Sequence, residues 1–112
     1  MAVFNGAFPV LKGKEDLAKK FADEIAGPRK GDFDAMQKKS SVTRETWTLQ
    51  ETPMGSFVLV WFEGDVEAAF ADMATSDDEI AKWMRDRIQE LTGVDMAADD
   101  SPPPAVLLDW TA

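Results

Sequence analysis

The sequence predicts an α+β fold, with one antiparallel sheet, helices packed on one of its faces, and elements following one another as βαββαβ. Three observations carry this. The stretch from Thr43 to Glu63, TRETWTLQETPMGSFVLVWFE, reads as a β-hairpin turning at Thr52-Pro53-Met54-Gly55. Stretches with apolar residues at helical spacing lie on both sides of the hairpin. Strand-like apolar segments stand near the two ends, AVFNGAFPV from Ala2 to Val10 and AVLLDW from Ala105 to Trp110.

Ala2 to Val10 alternates Phe and Val with small residues and closes on Pro9, which fits a strand near its end better than a helix interior. From Lys12 to Ala26, Leu17, Phe21 and Ile25 recur at i, i+4 and i+8 with charges opposite, so an amphipathic helix is expected, stopped by Gly27-Pro28. Such a stripe serves either to pack on the sheet or to bind a partner, and packing is the simpler reading. Asp32 to Ser41 can form a shorter helix with Asp32 as N-cap and Phe33 and Met36 inward.

In the hairpin, proline suits the first corner of a type I turn and glycine the left-handed residue after it. The first arm alternates, with Arg44, Thr46, Thr48 and Gln50 on one side and Glu45, Trp47, Leu49 and Glu51 on the other. The second arm, Phe57 to Phe62, is apolar on both sides, so both of its faces need cover. Asp65 then caps a helix with Val66, Ala69, Phe70 and Met73 inward. After a pause at Thr75-Ser76-Asp77-Asp78, a second segment capped by Ser76 or Asp77 turns Ile80, Trp83, Met84, Ile88 and Leu91 inward and ends at Gly93. Residues 95–104, acidic and then proline-rich, read as an extended connector to a last strand, Val106 to Trp110, which must be docked, as a terminal strand or against a neighbour, because its large apolar side chains are costly to leave in water.

This order matches the split βαβ, or ferredoxin-like, arrangement, with both long helices on one face. The other face then receives one of two apolar rows, Phe57-Leu59-Trp61 or Val58-Val60-Phe62, depending on register. A second copy of the sheet is expected to cover it, making a homodimer.

The chain has 112 residues and is expected to form one domain spanning 1–112. A formal charge of −9, from 21 acidic and 12 basic residues, disfavours nucleic acid and anionic membrane as partners. Cys, His and Tyr are absent. That removes disulfides, thiolate chemistry, Cys-ligated zinc, the usual general base and the commonest transition-metal ligand. Carboxylates abound, but none at a signature spacing; Asp77-Asp78-Glu79 lacks the pattern of a calcium loop and reads as helix capping. No glycine-rich phosphate loop is present. No basic region precedes a long apolar run, and no window approaches the ~18 apolar residues that span a bilayer, so a cytoplasmic protein is expected.

Nearly the whole chain, and most clearly FVLVWFEGD with the following EAAFADMATSDDEIAKW, resembles the dimeric α+β barrel superfamily that includes the antibiotic-biosynthesis-monooxygenase-like domains. Within it, GPR at Gly27 to Arg29, VTRETWTLQ, TSDDEIAKW and ELTGVD look like a small uncharacterised bacterial subgroup. The resemblance implies two sheets packed face to face across a dimer, and in each protomer a cavity between sheet and helices. Some members are cofactor-independent oxygenases or isomerases. Others bind haem, and those that ligate iron through a side chain commonly use histidine, so no cofactor and no metal are expected here.

Trp47, Trp61 and Trp83 are candidates for lining a cavity that takes an aromatic molecule, although each indole can equally be a core or dimer anchor. Arg29, Lys30, Lys38, Lys39 and Arg44 gather five positive charges in an acidic chain. They form either an electrostatic mouth for an anionic molecule or, in part, compensation of a helix C-terminus. Arg29 and Arg44 are the candidates for the mouth; Arg44 can instead pair with Glu63 across the hairpin. The expected role is binding of a small aromatic or anionic organic ligand, with a cofactor-independent monooxygenase-like enzyme acting on an aromatic or quinol substrate as the alternative. No residue is marked as catalytic.

Overall fold

A computed structural model describes residues 2–112. Among them the chain forms three strands and four helices in the order β1 (Ala2–Val10), α1 (Glu15–Ala26), α2 (Lys30–Lys39), β2 (Arg44–Thr52), β3 (Gly55–Gly64), α3 (Val66–Thr75) and α4 (Glu79–Thr92). The expected α+β class is present.

The sheet is antiparallel with the order β1-β3-β2, so the two-sided apolar arm is its central strand. The hairpin turns where expected. Thr52 pairs with Gly55 across Pro53-Met54, and the Thr52 hydroxyl oxygen accepts from the Met54 N–H at 3.1 Å and donates to the Gly55 carbonyl at 2.6 Å. Gly55 has φ +118°, a backbone that side chains with a Cβ rarely adopt. This turn sets the register, which resolves the ambiguity over the two apolar rows. Val58, Val60 and Phe62 face the helices with Phe4, Phe8, Trp47 and Leu49; Phe57, Leu59 and Trp61 face the open side with Asn5, Ala7, Thr46 and Thr48.

All the helices lie on one face. The core joins Val10, Ala18, Phe21, Ile80, Trp83, Met84 and Leu91, with Leu17, Ile25, Phe33, Met36, Met73 and Ile88 packed around it. Helix α1 stops before Gly27-Pro28 as expected. Helix α2 starts earlier than its expected cap at Asp32, because the Arg29 and Gly27 carbonyls accept from Phe33 and Lys30, at 2.9 and 3.1 Å. Asp65 caps α3 through Ala68 N–H at 3.1 Å, and Gly93 closes α4 with φ +78°. The N-cap of α4 is Asp78, beyond the expected Ser76 or Asp77; Ser76 Oγ accepts from the Asp78 N–H instead. Close packing fixes the exit from β3: a Cβ on Gly64 would come within 2.8 Å of the Val42 Cα.

The last expected strand is not formed. Residues 105–110 carry no strand structure, so the sheet has three strands where βαββαβ calls for four. Val106, Leu107, Leu108 and Trp110 are 76–97% exposed. The connector opens with a turn instead of an extended course, the Asp95 carbonyl accepting from the Ala98 N–H at 3.1 Å; residues 99–104 carry no helix or strand, and the Ser101 N–H donates to Asp99 Oδ1 at 3.0 Å just before the prolines. Hydrogen bonding by Ser101, from its hydroxyl first and its backbone N–H second, holds the Asp99 carboxyl below its usual pKa.

Candidate functional site

Between the sheet and the helices lies a cavity of about 380 Å³. Its sheet wall is built from side chains on one face of each strand: Phe4 and Phe8 on β1, Glu45, Trp47 and Leu49 on β2, and Val58, Val60 and Phe62 on β3. The helical wall adds Phe21 from α1, Phe33 and Met36 from α2, and Phe70 and Met73 from α3, with Met84 and Ile88 from α4. Aromatic rings and flexible thioethers therefore dominate the lining, a surface suited to flat apolar molecules.

The rings are mutually braced. Phe21 lies 5.0 Å from Trp47 and 5.3 Å, edge-on, from Trp83. Phe70 meets the Phe4 ring at 4.8 Å, and Phe4 meets Phe62 at 5.3 Å. Gly6 makes room for this second group, since a Cβ there would come within 2.5 Å of the Phe4 ring.

One carboxylate interrupts the apolar wall. Glu45 is half-buried; its Oε2 accepts from the Trp47 indole N–H at 2.6 Å and its Oε1 from the Gln37 amide at 2.8 Å. Each oxygen keeps one acceptor site beyond these bonds. Strand alternation explains the placement, because Glu45 is two residues from Trp47 and so shares its face, whereas Arg44 next to it points the other way. The i, i+2 relation to Trp47 on a strand is the signal that could have marked Glu45 from the sequence. Lys19, Asp23 and Asp72 border the cavity as well.

Of the five residues expected at a ligand site, Trp47 alone lines this cavity. Trp83 is buried behind Phe21, and the Arg29 guanidinium stacks on its outer face, 4.1 Å from the ring centroid, while bonding Glu79 at 2.6 Å. Trp61 and Arg44 occupy the opposite face of the sheet, with the Arg44 guanidinium 5.9 Å from the Trp61 ring centroid. Arg44 does stand opposite Glu63 in register, but Glu63 accepts from the Thr43 hydroxyl at 2.8 Å and forms no ion pair with Arg44.

Three of the five residues of the basic cluster are taken up in local pairs. Lys30 bonds Asp34 at 2.7 Å within α2, Arg29 bonds Glu79, and Lys39 bonds Asp78. The last two join α2 to the start of α4, and the Asp78 hydrogen bond raises the Lys39 ammonium pKa. The electrostatic mouth expected from these residues does not border the cavity.

Among the described residues no group of three or more carboxylates is placed to hold a metal ion, and no helix is long and apolar enough to cross a membrane. Comparison with protein families, with characterised proteins and with solved structures finds no match to this chain.

Proposed function

We propose that the protein binds a small, planar, largely apolar molecule in the cavity between sheet and helices, and that it does so as a homodimer of the dimeric α+β barrel kind, its ferredoxin-like sheets meeting through their open faces. The observation that carries the ligand reading is the aromatic and methionine-lined cavity of about 380 Å³ with one hydrogen-bonded carboxylate, Glu45, on its wall. Cavities of roughly 300–1,000 Å³ with apolar walls and a few convergent polar groups are typical of small-molecule sites. The remaining acceptor capacity of Glu45 selects a ligand with a donor, such as a phenol, a quinol or an N–H heterocycle. Arg29 and Arg44 lie elsewhere, so a negative group on the ligand would meet only Lys19 at the edge of the cavity.

The dimer reading rests on the open face. Phe57, Leu59 and Trp61 run down its centre, a row that a solvated antiparallel face would replace with polar residues.

The half-buried Glu45 carboxylate among apolar walls also supports a second reading, in which it acts as the base that removes a proton from a quinol before reaction with oxygen. One experiment separates the two. Thermal-shift titration with paired aromatic compounds, with and without a hydroxyl, should show the hydroxylated partner stabilising the protein more. Glu45→Gln should weaken that partner about tenfold, the loss of one charge-assisted hydrogen bond, and leave the other unchanged. Oxygen-dependent loss of the quinol with the native chain, absent in a Glu45→Gln variant that still binds, would establish the enzyme instead. If no aromatic compound raises the melting temperature, the ligand reading is wrong.

A further inference from the structure

The segment that follows the prolines is built to dock, yet its large apolar side chains stand exposed in its own protomer. Val106, Leu108 and Trp110 alternate with Leu107 and Asp109, so that in an extended chain the three large apolar side chains fall on one side. All of them are exposed, Leu108 at 83% and Trp110 at 76%. Pro104 overhangs a groove on the open sheet face formed by Asn5, Ala7, Thr46, Thr48, Leu59 and Trp61. The chain thus reaches its own open face at Pro104 and leaves it again. Three consecutive prolines favour an extended course, and beyond Ala105 the large apolar side chains stand exposed instead of covering that face.

We infer that Val106 to Trp110 of each copy docks on the open sheet face of a second copy, beside its Phe57-Leu59-Trp61 row. The two surfaces match in length and period. Phe57, Leu59 and Trp61 are spaced two residues apart along a strand, as Val106, Leu108 and Trp110 are along an extended segment, so the rows run side by side over equal distances. Charge agrees: Arg44, beside Trp61 on that face, has no carboxylate partner among the described residues, and neither has Asp109. Because segment and face belong to the same chain, a two-fold axis satisfies both at once and closes the assembly at two copies.

This inference rests on the dimer reading above, and the test keeps the two apart. Sedimentation equilibrium is run on the full chain, on a chain ending at Ala105, and on a full-length Leu108→Asp, Trp110→Asp variant, with circular dichroism to confirm the fold. Since the segment's large apolar side chains are exposed in the protomer, both altered chains should keep the native spectrum. Both should dimerise more weakly by about a hundredfold or more, given the apolar area withdrawn. If both dimerise as tightly as the full chain, the exchanged segment is refuted and the face-to-face dimer stands. If the full chain stays monomeric across the micromolar range, the dimer reading fails and takes this inference with it.

Discussion

Replacing Phe21 with alanine should lower the unfolding free energy by about 3–5 kcal/mol, among the largest effects of any single change in this chain. Phe21 is 3% exposed and stands between two tryptophans, so its removal deletes two aromatic contacts together with its buried area. It also borders the cavity, and the void left behind would join space that already exists. Neighbours on a rigid sheet cannot collapse into it, which places the cost toward the upper end. Urea denaturation monitored by circular dichroism would read this directly. A loss below about 1 kcal/mol would mean that α1 is not held to the sheet through this ring.

Val60→Phe should do the reverse, abolishing ligand binding while leaving the fold intact. Val60 sits on the central strand across from Gly6 on one side and Trp47 on the other, and its side chain points into the cavity. A phenyl group there occupies space that the native chain leaves empty. Stability should therefore hold or rise by about 0.5–2 kcal/mol, as in other cavity-filling changes. Affinity for the best aromatic compound found by thermal shift should fall at least about a hundredfold, because the ligand and the new ring compete for the same volume. Undiminished binding in this variant would place the ligand elsewhere on the molecule.

The extent to which the fold was legible follows from what each pattern measures. Hydrophobic period reports which side of an element needs cover, and Phe21 with Ile25, or Ile80 with Trp83 and Met84, marked the inner faces of α1 and α4 correctly. Turn chemistry located the hairpin at Pro53-Met54. Register could not be read, because β3 is apolar on both faces and offers no polar row to break the tie; the pairing of Thr52 with Gly55 decides it. Once it is decided, Arg44 and Trp61 fall on one side and Glu45 and Trp47 on the other, which is why the expected site residues divide between two faces. The last strand is expected but does not form, for a related reason. An apolar alternation from Val106 to Trp110 states that burial is needed without saying whose surface provides it. Sequence proximity gathers five cations and makes Arg29 a ligand candidate, whereas Glu79, distant in the chain, occupies it in space.

The central position of β3 also fixes an order of assembly. Its pairing with β2 closes across two residues, but its pairing with β1 joins Val10 to Ser56 and Ala2 to Gly64, across α1, α2 and the hairpin itself. Loop closure makes the first contact fast and the second slow. For an interval during folding the hairpin therefore exists with one edge of β3 unpaired and its apolar side chains uncovered. An unpaired apolar edge of this kind recruits other chains, so refolding yield should fall as protein concentration rises, and changes at the hairpin turn should slow refolding while changes in β1 mainly hasten unfolding. Stopped-flow refolding of turn and β1 variants would show that division, and equal slowing by both sets would refute it. The strand that organises the finished sheet is thus also the one most in need of protection while the sheet is incomplete.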